Sequence, residues 1–165
     1  MKIYVLKGNA ERGKTTCLKQ LACLISKNDE KAQIIHSEEE GLNFAKIKKQ
    51  IAQERKQRRI ENVDIETQKI AVVIKTGKKK IGIYSDGDYD KDIANAVKMF
   101  EDYSCDIAFG VCRSKGLTIK LYEDLHHQVE FIDKAEIKSA REYEKFNEYI
   151  DKLNDWQAGE LFSKI

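Results

Sequence analysis

Gly8-Asn9-Ala10-Glu11-Arg12-Gly13-Lys14-Thr15 is the stretch on which the reading of this chain turns. Before it, Ile3-Tyr4-Val5-Leu6 forms a short apolar run that fits a buried strand. After it, Leu18, Leu21, Ala22 and Ile25 recur on one face of a helix. A glycine loop joining strand to helix is therefore expected. Its glycines let the backbone curl so that successive N–H groups turn toward one centre. The helix beginning near Lys14 aims the positive end of its dipole at the same point, which makes a cradle for an anion.

The octapeptide matches G-x-x-x-x-G-K-[ST] in the strand–loop–helix context that the pattern requires. On these residues the chain resembles the P-loop NTPase superfamily, and the resemblance ends at about the first helix. It implies a three-layer α/β/α fold and a nucleoside triphosphate bound with magnesium. Gly8, Asn9, Ala10, Glu11, Arg12 and Gly13 would wrap the phosphates, with Arg12 also a neighbour of the base. Lys14 would bridge the outer phosphates, Thr15 would hold magnesium through its hydroxyl, and Thr16 would touch an inner phosphate.

The same resemblance implies a second motif, an apolar strand that ends in an acid. Lys80-Ile81-Gly82-Ile83-Tyr84-Ser85-Asp86 has that form. Asp86 is the candidate metal ligand, and Asp88 the candidate for assisting it or orienting a nucleophile. Asp106 competes but sits at the wrong end of its strand. Arg113 and Lys115 follow a later strand and are placed to meet phosphoryl charge, with Arg113 the candidate catalytic cation.

The rest of the chain alternates strand and helix. Gln33 to His36 reads as a short strand and Leu42 to Arg59 as a basic helix. Lys69 to Ile74 and Lys80 to Tyr84, joined by Thr76-Gly77-Lys78-Lys79, read as a hairpin. Ile93, Ala96, Val97 and Phe100 fit a helix, Asp106 to Val111 a buried strand, Leu117 to Leu125 a short helix and Gln128 to Ile132 a last strand. A terminal helix is expected from about Ala135 to Phe162, with Tyr143, Phe146, Ile150, Leu153 and Leu161 near one stripe. Trp156 and Phe162 are expected to pack with that stripe against the sheet, and the helix is a candidate homodimer contact. This order predicts an α/β fold whose sheet is mostly parallel, with one antiparallel hairpin strand and helices on both faces. One domain spanning 1–165 is expected.

The chain has 30 Lys and Arg against 28 Asp and Glu, so its formal charge of +2 attracts neither nucleic acid nor anionic membrane over the whole surface. No apolar run approaches the ~18 to 20 residues of a membrane span, and the start is too short for a signal peptide. Cys17, Cys23, Cys105 and Cys112 form no C-x-x-C pair and read as reduced core residues inside helices and strands, which points to the cytoplasm. His126 and His127 are adjacent and so diverge, against a metal pair.

The hairpin arrangement resembles small Ras-like GTPases, yet the guanine-reading N-K-x-D is absent after the strand ending at Val111, as is D-x-x-G after Ser85. ATP is therefore favoured over GTP. Lys46, Lys48, Lys49, Arg55, Lys56, Arg58 and Arg59 occupy a region that resembles the substrate-covering segment of small kinases. A solvated helix face, balanced by Glu61, Asp64 and Glu66, explains them more simply; contact with a nucleic-acid backbone is a third reading. The function expected is Mg-dependent ATP hydrolysis or phosphoryl transfer to a small-molecule acceptor. The alternative is a nucleotide-dependent switch or binding module acting on a protein or nucleic-acid partner.

Overall fold

The computed structural model describes residues 1–9, 13–61, 68–136 and 146–165. Ala10, Glu11 and Arg12 of the loop, Asp64 and Glu66, Tyr143, and the side chains of Arg59, Glu61 and Phe146 lie outside the described residues. In chain order the elements are β1 (Lys2–Lys7), α1 (Lys14–Asn28), β2 (Gln33–Ser37), α2 (Phe44–Glu61), β3 (Ala71–Lys75) and β4 (Lys80–Tyr84). They continue with α3 (Asp90–Asp102), β5 (Ile107–Cys112), α4 (Leu117–Glu123), β6 (Gln128–Asp133) and α5 (Phe146–Phe162).

One six-stranded sheet runs β2-β3-β4-β5-β1-β6. β1 pairs in parallel with β5 and β6, and β4 in parallel with β5. β3 alone is reversed, antiparallel to β2 and to β4. The β3–β4 hairpin forms where its turn residues suggest: Thr76 N–H donates to the Lys79 carbonyl at 2.8 Å, and its hydroxyl accepts from Lys78 and Lys79 N–H. Asp29 accepts from Gly77 N–H at 3.0 Å, tying the turn to the end of α1 and holding the carboxyl below its usual range.

Alternation along β1 divides the core. Tyr4 and Leu6 pack with α1, α2 and α5, whereas Ile3 and Val5 pack with α3 and α4. Helices thus cover both faces, which is why β5 and the central residues of β1, Ile3 to Leu6, are apolar without alternation. Within the first layer α2 is held to α1 by a buried ion pair: Lys19 Nζ donates to Glu54 Oε1 at 2.5 Å, and Lys19 is fully buried. Among the described residues no helix is long and apolar enough to cross a membrane.

The terminal segment departs from expectation. Residues 134–136 are irregular, so the helix does not start at Ala135. Trp156 is 62% exposed and does not pack against the sheet; Tyr149, one heptad earlier, is also exposed. The face of α5 that turns inward carries Asp151, Asn154, Gln157, Ala158 and Leu161. Leu161 is buried and Phe162 packs against the core, as expected; apolar spacing misses the polar residues of this face because α5 packs beside the arginines of α2 and the start of α1, which require polar partners. Arg58 Nη1 donates to Asp151 Oδ1 at 3.1 Å, and Arg55 Nη2 donates to Asp155 Oδ1 at 2.6 Å. These two basic residues are therefore structural, and the acids facing them come from α5.

All four cysteines are free, as expected, although Cys105 lies in the turn before β5 rather than inside an element. Burial pushes Cys17 up to about 12 and Cys105 and Cys112 up to about 11. Cys23 is only half-buried, on a groove of about 960 Å³ between α1 and α2. Thiolate supply and access together control reactivity. Ellman's reagent at pH 8 should therefore titrate one thiol in the native chain, more slowly than free cysteine, and Cys23→Ser should remove that phase.

Candidate functional site

Parallel strands end at one edge of the sheet, so β1, β4, β5 and β6 deliver their following loops to the same place. At the end of β1, Gly8 N–H donates to the Cys112 carbonyl at 3.2 Å, fixing the start of the glycine loop against β5. The loop ends at Gly13, with φ 82° and ψ 14°, a left-handed conformation that glycine adopts without steric cost. A Cβ there would also lie 2.8 Å from Asn154 Oδ1. The first internal bond of α1 runs from Cys17 N–H to the Gly13 carbonyl at 2.9 Å. The amides ahead of Cys17 have no acceptor within the helix. Among the described residues no side chain caps the start of the helix, and no acid occupies the first turn. This terminus is chemically ready for an anion.

Lys14 is 7% exposed and folds back, its Nζ donating to the carbonyls of Gly8 at 2.6 Å and Cys112 at 3.1 Å. Burial lowers its ammonium to about 8, against the pull of Asp88. Thr15 and Thr16 are buried in the first turn, and the Thr16 hydroxyl donates to Glu54 Oε2 at 3.5 Å. Asn9 is exposed, and its Oδ1 accepts from Ser114 Oγ at 2.6 Å, joining the glycine loop to the loop after β5.

The acids reach the site from two strands away. β5 lies between β1 and β4, so the end of β4 is displaced from β1 by two strand spacings, roughly 10 Å. Gly87 lets the chain cross that gap: a Cβ there would sit 2.1 Å from the Val111 carbonyl oxygen, so the loop lies directly on the end of β5. Asp88 then meets Arg113, Oδ1 to Nε at 3.0 Å, and lies in the field of Lys14. Asp86 remains behind, half-buried, its carboxyl raised first by burial and then by Asp92, with Lys69 opposing. Asp92 is committed to α3, accepting from Tyr89 N–H at 2.9 Å. Asp106 lies at the opposite edge, where its Oδ2 accepts from Lys80 N–H at 2.8 Å.

Asp92 and Asp88 thus add like charge around the half-buried Asp86, with Lys69 between them in strength and opposite in sign. Among the described residues no group of three or more His, Cys, Asp or Glu is poised to hold a metal. A magnesium ion would take most of its oxygens from a phosphate ligand and water, which is its usual habit.

Two residues of the site were not anticipated. Lys134, immediately after β6, is 6% exposed and packs its Cβ where a side chain on Gly8 would be, at 2.9 Å. Burial lowers its ammonium, and Arg58 adds like charge. Its position follows from strand order, since β6 pairs in parallel with β1 and so ends beside the glycine loop. Asn154 gave no signal in the sequence, being one polar residue within a helix.

No protein-family model, curated protein or solved structure matches this chain. Its functional reading rests on the residues themselves.

Proposed function

We propose that the chain binds a nucleoside triphosphate, ATP in preference to GTP, together with magnesium, and that it hydrolyses it or transfers the phosphoryl group to a small-molecule acceptor. The observation that carries this reading is the uncapped start of α1 behind a left-handed Gly13, with a buried lysine folded back over the same loop. Buried ammonium and open amides make an anion-selective site, and the P-loop pattern of the sequence names the anion as a polyphosphate.

Lys14 leaves the Gly8 and Cys112 carbonyls for the outer phosphates, and the amides of the first turn of α1 take phosphate oxygens. Thr15 and Asp86 are the residues that would hold magnesium, which would supply neutralisation of phosphoryl charge. Asp88 and Arg113 form an ion pair beside Lys14. Opening that pair frees the guanidinium for phosphoryl charge and the carboxylate for orienting water or an acceptor hydroxyl.

A second reading has support of its own. Glu54 of α2 joins Thr16 and Lys19 of α1, so a change at the start of α1 is transmitted to the basic helix. A nucleotide-dependent module would present that helix to a partner.

Thermal shift with ATP, GTP and their diphosphates, each with magnesium, tests the shared claim. Stabilisation of about 2.7 kcal/mol is expected at a hundredfold excess over Kd. Absence of any shift at millimolar triphosphate would overturn both readings. Phosphate release with and without candidate acceptors then separates hydrolase from transferase, and turnover altered only by a macromolecule marks the module.

A further inference from the structure

Besides the Lys19–Glu54 ion pair that joins them, α1 and α2 share a groove of about 960 Å³, on which Cys23 sits. Leu24, Phe44 and Ile51 give it apolar surface. Lys27, Lys48 and Lys56 add positive charge, and none of the described residues that line it is acidic. The α2 wall steps through Ala45, Lys48, Ala52 and Arg55, at intervals of three and four. Gln20, Leu24 and Lys27 make the α1 wall at the same spacing. Seams of that period are what a third helix packs against, and the exposed Ala45 and Ala52 let its backbone come close.

The chain carries a helical face of the opposite character. On α5, Tyr149 is 44% and Trp156 62% exposed, one heptad apart on the side away from the buried stripe. Glu148, Asp155 and Glu160 outnumber Lys152 around them. A pairing of this helix with the groove already exists within the chain. Asp155 Oδ1 accepts from Gln20 Nε2 at 2.7 Å and from Arg55 Nη2 at 2.6 Å, and both donors line the groove. The two surfaces therefore border each other at Asp155.

We infer that the chain forms a twofold dimer in which the Tyr149–Trp156 face of α5 from one copy lies in the α1–α2 groove of the other. Because the surfaces adjoin at Asp155, a twofold axis passing there lets each copy give its helix and receive the other's, which closes the assembly. Trp156 supplies the large aromatic anchor that fills the apolar part of the groove. The acids of α5 meet the lysines that line it, a match of charge that fixes the partner's orientation. No residue of this contact belongs to the glycine loop or to the acids at the sheet edge, so dimerisation and nucleotide binding are tested separately.

Sedimentation velocity of the full chain, without added ligand, from about 1 to about 200 μM should show monomer passing to dimer. Trp156→Ser and Lys48→Glu should each weaken association at least about tenfold. Melting temperatures at the lowest concentration should not change, because both side chains are exposed in the single chain. Cys23 reports on the groove itself. Its reaction with Ellman's reagent should slow as concentration rises through the dimer range, and Trp156→Ser should abolish that slowing. Loss of melting temperature in either variant shifts the decision to the Cys23 profile of the natural chain, which needs no substitution. A chain that remains monomeric across the range overturns the inference and leaves the groove to a different partner. A dimer in which Cys23 reacts at the monomer's rate, or one that survives either substitution unchanged, also overturns it, because the contact then lies elsewhere.

Discussion

Glu54→Ala should destabilise the fold by about 3 to 5 kcal/mol, because it leaves the fully buried Lys19 ammonium without its counter-charge. Lys19 sits in the first helical layer, and its Nζ meets Glu54 Oε1 at 2.5 Å. Truncating one partner of a buried pair costs more than the pair is worth, since the remaining charge stays desolvated. Replacing both should therefore cost far less, and Lys19→Met with Glu54→Leu should recover most of the loss. Urea unfolding is the measurement: the midpoint should fall for Glu54→Ala with an unchanged slope and return toward the natural value in the double variant. For a chain of this length the thermal midpoint should drop by roughly 10 °C. Equal losses in the single and double variants would mean that packing volume, not charge compensation, is what Glu54 contributes.

Lys14→Ala should abolish stabilisation by triphosphate while leaving the empty protein at least as stable as the natural chain. The folded-state value of about 8 lies below the ordinary 10.5, so the unfolded chain holds this proton more tightly than the folded one. The charged lysine therefore opposes folding at neutral pH, by an amount on the order of 3 kcal/mol. That opposition is present below about pH 8 and fades as pH rises toward 10.5. Replacement by alanine removes it, at the expense of the bonds to the Gly8 and Cys112 carbonyls. A bound triphosphate reverses the sign, because anionic oxygens favour the charged lysine. Binding should accordingly take up a proton near pH 8 to 9, and affinity should fall up to about tenfold per pH unit above that point. Calorimetry at pH 7 and pH 9, in buffers of different ionisation enthalpy, reads both effects. Identical triphosphate affinity in the natural chain and in Lys14→Ala would remove the lysine from the site.

These expectations share a feature of the fold: much of the charge near the site is compensated by elements distant in sequence. Arg58 finds Asp151, Arg55 finds Asp155 and Asp88 finds Arg113. A lid or nucleic-acid contact built from the whole basic stretch loses Arg55 and Arg58 to α5, leaving Lys46, Lys48, Lys49 and Lys56 exposed on α2.

What the chain declares locally is the identity of its elements. The apolar run of β1, the glycines at 8 and 13, the amphipathic spacing of α1 and the turn chemistry of Thr76 to Lys79 each act within a few residues. Steric limits and short hydrogen bonds there leave little choice. Strand order is another matter: the insertion of β5 between β1 and β4 brings Asp88, rather than Asp86, into the field of Lys14, and no local signal encodes it. The polar stripe of α5 was likewise hidden. Periodicity ranks faces by apolar content, whereas α5 was oriented by the arginines, the glycine loop and the Lys134 loop packed against it. Local sterics select the elements, but the pairing of buried charge and the placement of loops at a common edge are settled only when segments far apart in the chain compete for the same partners.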